Sequence, residues 1–169
     1  SQWHLGFIGS EGFSAIPSAM ARQGIESVWQ NYQGDGVSVG IWDDGVQRSH
    51  WDLSANYDAN KQVIIKGTLN NGQPLTDSDA HGTAVAGLIA ADDNGLGGVG
   101  IAHDARITAV RIFGGADDIN TKWDRYLLTL DSLKRFDVTN HSYGGYPNFA
   151  VYVDVAKFKA AAEQGRAGL

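Results

Sequence analysis

Residues 36–45, GVSVGIWDDG, carry the reading on which the fold turns. Small residues sit between apolar ones through GVSVGIW, the pattern of a strand buried on both faces, and the run ends directly in two acids and a glycine. Outward from this stretch, helix and strand patterns alternate. Upstream, 24–32 has helical spacing at Ile25, Val28 and Trp29 and stops before Gly34. Downstream, polar and turn-rich sequence fills 43–80, with a short strand expected at 63–68. The small-residue apolar run HGTAVAGLIAA, 81–91, reads as a buried helix, and RITAVRI, 106–112, as a second strand. A helix is expected over 121–134, with an apolar stripe at Trp123, Leu127, Leu130 and Leu133. A third strand at 136–142 and a last helix over 149–164 complete the alternation. Alternating elements of this kind predict an α/β fold: a doubly wound, mostly parallel sheet with helices on both faces. Ligands of such sheets bind beyond the carboxyl ends of the strands, so chemistry is expected just after residues 42, 112 and 141.

Composition bounds the rest. The 169 residues suffice for one self-burying domain, and we treat 1–169 as a single unit. An apolar fraction of 43% with 19% charged residues fits a globular chain rather than a disordered one. The 22 glycines against three prolines, without a G-X-Y period, point to tight turns rather than collagen. No cysteine is present, which excludes disulfides, thiolate metal sites and a cysteine nucleophile. A net charge of −6 disfavours nucleic acid or an anionic membrane as partner. No apolar run reaches the ~18 residues that a membrane span needs. The opening SQWHLGFIG lacks the basic and apolar regions of a signal peptide and reads as a mature or trimmed start.

Three segments carry candidate chemistry. Asp43-Asp44-Gly45 follows the first strand, where an acid held by a glycine turn can orient a histidine. Read alone, the tripeptide also fits a surface turn. His81-Gly82-Thr83 opens the buried helix, which would hold the imidazole rigidly, although an ordinary first-turn histidine fits equally well. Asn140-His141-Ser142-Tyr143-Gly144-Gly145 closes the third strand with small residues able to offer backbone groups to an extended peptide. Asn140-His141-Ser142 matches a glycosylation sequon, but a strand end is a poor place for modification. It is no hydrolase nucleophile elbow, since Asn140 stands where that motif needs glycine.

Taken in order, GVSVGIWDDGVQRSHWDL, HGTAVAGLIAADDNGLGGVGIA and VTNHSYGG resemble the subtilisin-like serine peptidases. The variant DDG, the early QWHL and the closing EQGRAGL are most similar to the kexin and furin branch. The resemblance implies that Asp43 is the triad acid and His81 the general base, and the order Asp before His agrees. It implies that Ser142, Tyr143 and Gly144 line a polypeptide substrate, and that Asp44 helps select a basic residue beside the cleaved bond. The family's Gly-Thr-Ser-x-Ala nucleophile box and its oxyanion asparagine do not occur in these residues. The sequence is therefore expected to be a catalytic domain truncated before its C-terminal part, inactive alone, and completed by its remaining sequence as a second chain. A non-catalytic peptide-binding or regulatory module on the same fold is the alternative.

The resemblance further implies a calcium ion after the histidine helix, held by carbonyls of Asp92, Leu96 and Gly98, the Asn94 side chain and Asp52. It also implies a secreted or extracytoplasmic setting. The acids of the family's arginine pocket are missing after Ser142-Tyr143-Gly144-Gly145-Tyr146-Pro147, so no dibasic preference is assigned. Asp117 and Asp118, after the second strand, read as an exposed acidic loop. Gly95–Gly100 fits G-x-G-x-x-G, yet it follows a helix and precedes a strand, the reverse of a dinucleotide site. Asp77-Ser78-Asp79 begins like an EF-hand loop but has Leu88 where the twelfth ligand should be. His50 is expected to be packed and hydrogen-bonded, and His4, His103 and His141 show no metal spacing. The five tryptophans are expected in core and rim packing.

Overall fold

The structure is a computed structural model describing residues 25, 27–65, 71–115, 119–144 and 155–164. Three parallel strands form its sheet: β1 (Ser38–Asp43), β2 (Arg106–Arg111) and β3 (Val138–Asn140), in the order β2-β1-β3. The helices are α1 (His81–Ala90), α2 (Ile119–Thr129), which runs into a 3₁₀ segment Leu130–Arg135, and α3 (Val155–Gln164). β1 occupies the centre because all six of its residues are buried, as its sequence demands. Its register runs from Ser38↔Arg106 to Asp43↔Arg111 on one side and from Val39↔Val138 to Ile41↔Asn140 on the other.

Strand alternation distributes two cores onto two faces. Val39, Ile41, Ile107 and Ala109 pack with Ala86 and Ala90 of α1. Trp42, Val110 and Ile112 pack with Phe136, and Tyr126 and Leu133 from α2 and its 3₁₀ extension close over them. Both faces of the sheet are thus covered, which is the doubly wound arrangement expected. Trp42 is fully buried, and its indole N–H donates to Thr129 Oγ1 at 2.8 Å. Thr129 Oγ1 in turn donates to the Tyr126 carbonyl, at 2.8 Å. The chain tightens to 3₁₀ after Thr129, so the helix expected over 121–134 is α-helical only to Thr129. Leu130, fully buried, is carried into the core by that tightening.

Other expected elements need correction. No strand forms at 63–65, and 66–68 lie outside the described residues. The reason lies on the outer edge of β2. Backbone pairing there is a single bridge, Tyr57↔Ile107. Beyond it, side chains replace a strand: Tyr57 Oη accepts from Ala109 N at 3.3 Å and donates to Gln62 Oε1 at 2.7 Å. Gln62 Nε2 then donates to the Ala109 carbonyl at 2.8 Å, leaving 63–65 no ladder position at that residue. The third strand is three residues long rather than 136–142, because past Asn140 the side chains take local partners: Asn140 Nδ2 donates to Ser142 Oγ at 2.8 Å. Of the last helix, 155–164 is seen, with 149–154 outside the described residues. Residues 25 and 27–29 are helical, in keeping with the first predicted helix. No helix among the described residues is long and apolar enough to cross a membrane.

Candidate active site at the strand tips

Asp43 is the last residue of β1, and its carbonyl accepts from Ile112 N and Phe113 N beyond the end of β2. The backbone is therefore fixed on the side of the neighbouring strand before the chain turns at Gly45. That glycine has φ +115°, and a Cβ there would lie 2.6 Å from Gln73 C and Pro74 N, so the turn requires glycine. The Asp43 side chain is 3% exposed, and its Oδ1 accepts from Asp44 N at 2.8 Å.

The His81 ring stands over this carboxylate, Nδ1 lying 2.9 Å from Oδ1 and 3.0 Å from Oδ2. Two acceptors converge on Nδ1, so the hydrogen of the neutral ring belongs there and Nε2 is left with a free lone pair. At 59% exposure the ring presents its outer edge to solvent. The hydrogen bond that His81 donates to Asp43, and then the charge of that carboxylate, raise the His81 pKa above the ordinary 6.5. Burial pushes the Asp43 carboxyl up, against the lowering effect of the His81 and Asp44 hydrogen bonds. A buried acid locked to one nitrogen of a solvent-facing imidazole orients that ring and stabilises its cation.

Asp44 is engaged elsewhere. Its Oδ2 accepts from His81 N at 3.0 Å and its Oδ1 from Gly82 N at 2.7 Å. The two boxes meet because residue 82 lacks a side chain: a Cβ there would lie 2.4 Å from the Gly45 carbonyl oxygen.

β3 ends at Asn140, paired with Ile41, and Ser142 lies two residues beyond that end. His141, just before it, stacks on Trp42 with ring centroids 5.3 Å apart, and its Nδ1 lies 2.7 Å from Tyr143 Oη. Burial lowers the His141 pKa, so this ring is held neutral. Tyr143 packs edge-on against Phe113 at 4.7 Å. Burial, then the neighbouring Tyr126 and Asp43, push its hydroxyl well above the ordinary 10.0. A Cβ on Gly144 would meet nothing within 4 Å, so the backbone at that residue has open space beside it.

The loop after α1 wraps around Asp52, which is 6% exposed. Gly98 N donates to its Oδ2 at 3.1 Å and Asn94 Nδ2 to its Oδ1 at 3.3 Å, while Leu96 N donates to Asn94 Oδ1 at 3.0 Å. Asp92 N donates to the Asp52 carbonyl at 2.9 Å. Asn94 and Gly98 thus meet the Asp52 carboxylate through N–H groups, and Asp92 meets its carbonyl. Their hard oxygen donors and one buried carboxylate fit that ion in kind, with a single negative charge to hold it. Among the described residues no group of three or more His, Cys, Asp or Glu could hold a metal.

One role escaped the sequence reading, which met Asp79 only within a failed EF-hand loop. Asp79 Oδ2 accepts from Leu75 N and Thr76 N, at 3.1 and 2.9 Å, and Oδ1 from Gly115 N at 3.1 Å. It ties the loop before His81 to the loop after β2. Partial burial opposes ionisation, but the Gly115 and Thr76 N–H groups outweigh it and hold the carboxyl below 3.8. Its one sequence signal was an acid two residues before a helix start. A cleft of about 700 Å³ runs along α1 beside Asp79, Thr83 and Gly87, and neither Asp43 nor His81 lines it. Of the other predicted positions, His50 is packed as expected, stacked on Trp51 and accepting from Asp52 N at 3.2 Å. Trp29 meets His103 edge-on at 5.0 Å, whereas Trp51 is 54% exposed, a rim position. Asp117, Asp118, His4 and Trp3 lie outside the described residues.

Comparison with known proteins shows the family and the fold. The profile of the subtilase family matches residues 34–167. An extracellular serine protease of Aeromonas sobria is 31% identical over 147 residues, 85% of this chain and 23% of that protein. Human furin is 38% identical over 96 residues, 54% of this chain and 12% of furin. The crystal structure of an Aeromonas sobria serine protease in complex with its chaperone superposes with a TM-score of 0.68 at 28% identity. That match covers 96% of this chain and 28% of the other. The chain therefore spans a quarter or less of the length of these two sequence relatives.

Proposed function

This chain belongs to the subtilase family, and from that premise we propose that it supplies the acid and the general base of a serine endopeptidase, Asp43 and His81. The observation carrying the proposal is the bifurcated contact of His81 Nδ1 with a carboxylate that is 3% exposed. A serine hydroxyl from sequence outside these 169 residues would approach Nε2. As the serine oxygen attacks the scissile carbonyl, Nε2 takes its proton, and Asp43 stabilises the imidazolium without itself being protonated. The same nitrogen then returns the proton to the leaving amine. Ser142–Gly144 would pair with the backbone of the polypeptide substrate, as their position just past the carboxyl end of β3 supports.

The 169-residue chain alone hydrolyses nothing, since it holds no Gly-Thr-Ser-x-Ala box. The outer side of β3 bears no strand among the described residues, and Val138 is 51% exposed there. That edge would take a further strand from the remaining sequence, present as a second chain. The extracellular Aeromonas relative supports a secreted or extracytoplasmic setting. Calcium would bind structurally at Asp52 and Asn94 with the carbonyls of Asp92, Leu96 and Gly98, neutralising a carboxylate buried at 6% exposure.

Fluorophosphonate labelling of the natural full-length product, read by intact mass, tests the proposal. Labelling on a serine beyond residue 169, lost in His81→Ala, is the expected result. A product that takes no label overturns it in favour of a non-catalytic peptide-binding module.

A further inference from the structure

The start of α1 poses a problem that its own sequence does not solve. A helix begins with N–H groups that have no partner within the helix, and Ser, Thr, Asp or Asn ordinarily caps them. Here the N-cap is Ala80, whose side chain can accept nothing. The missing acceptors come from 36 residues or more upstream. Asp44 reaches over from the end of β1 and takes the His81 and Gly82 N–H groups, one on each carboxylate oxygen. A negative charge at a helix N-terminus also meets the positive end of the helix dipole.

Adjacent residues on one strand end thus grip a single histidine at two points. Asp43 holds the ring through Nδ1, and Asp44 holds the backbone through N. With both ends restrained, the side chain between them has little freedom to swing away from Asp43. The grip depends on close approach: a Cβ on residue 82 would lie 3.0 Å from Asp44 Oδ1 and 2.9 Å from Asp43 Cβ. With one N–H bound to each oxygen, the Asp44 carboxylate is oriented toward the helix.

We propose that Asp44 is a positioning residue for His81, capping α1 from the end of β1 and setting the height at which the imidazole meets Asp43. The proposal rests on the reading of His81 as general base. Selection of a basic substrate residue is the competing role of Asp44, which the experiment below separates from positioning.

The test uses backbone and imidazole NMR of the full-length product as wild type, Asp44→Asn and Asp44→Ala. In Asp44→Ala the His81 and Gly82 amides should lose protection from hydrogen exchange by roughly five-fold or more. Asp44→Asn keeps one acceptor oxygen and should lose protection at only one of the two amides. A role confined to long-range charge would leave both amides unchanged in both variants, which overturns the proposal. Should the variants fail to fold, acid titration of the wild type decides. The two amide protons must then move in step with the Asp44 carboxyl carbon, and amides that ignore that titration overturn the proposal. A His81→Ala variant of the full-length product that keeps its kcat refutes the general-base reading instead, so the two failures are distinguishable. In the full-length product, Asp44→Asn should lower kcat equally for peptides with lysine or alanine beside the cleaved bond. A KM increase confined to the lysine peptide would return Asp44 to substrate selection.

Discussion

Gly82→Ala asks whether the contact between the two boxes is as tight as the geometry says. Alanine is normally the better helix former, by about 0.8–1.0 kcal/mol in a helix interior, so propensity alone predicts a gain. The structure predicts a loss. The new Cβ would lie 2.4 Å from the Gly45 carbonyl oxygen, 2.9 Å from Asp43 Cβ and 3.0 Å from Asp44 Oδ1. All three atoms belong to the end of β1 and the turn that follows it, so the start of α1 must retreat from the strand tip. Restoring ordinary contact takes a shift of roughly 0.6–1 Å, the kind of overpacking that costs about 1–3 kcal/mol. The same shift stretches the His81 Nδ1–Asp43 contacts, now 2.9 and 3.0 Å, to the edge of hydrogen-bonding range or past it. Urea unfolding followed by tryptophan fluorescence should show a lower midpoint, because Trp42 is fully buried in the fold and exposed on unfolding. NMR titration of His81 should show its pKa falling back toward 6.5 as Asp43 loses its hold. In the completed enzyme, a displacement near 1 Å should cost on the order of 100-fold in kcat. A variant with an equal or higher urea midpoint and an unchanged His81 titration would refute the steric reasoning.

Three further outcomes are expected. The raised folded-state pKa of His81 gives stability that is fully present below about pH 6.5 and is lost as pH rises through that folded value. Asp43→Asn should remove this step from a series of unfolding curves across pH, and a step that persists would assign it to another group. Thr129→Val takes the acceptor from the buried Trp42 indole, and an orphaned donor there should cost about 1–3 kcal/mol in denaturant titration. Millimolar calcium should raise the Tm of the wild type and leave Asp52→Asn unchanged, whereas a wild type indifferent to calcium would remove that ion from the proposal.

The chemistry-bearing positions were legible because each sits at a junction between elements with opposite periodicities. GVSVGIW needs burial on both faces, and DDG ends it with a turn; HGTAVAGLIA needs burial, and His81 begins it. What was not legible depended on partners distant in sequence. VIIKGT has the composition of a strand, yet Tyr57 and Gln62 had already satisfied the backbone of Ala109 on β2. The helix through 121–134 tightened where Thr129 became the acceptor for Trp42, 87 residues away. Asp79 read as a failed calcium loop because the Gly115 amide it binds lies 36 residues further on.

By itself the amino-acid order determined the fold class, through its local hydrophobic period, and the resemblance carried by its motifs pointed to the family and to which acid and which histidine belong together. Only the tertiary structure decided what Asp44 holds, where the strands stop and how closely α1 may approach β1. Those outcomes are settled by which unpaired backbone group lies within about 3 Å of which side chain, a distance set by packing across the whole sheet.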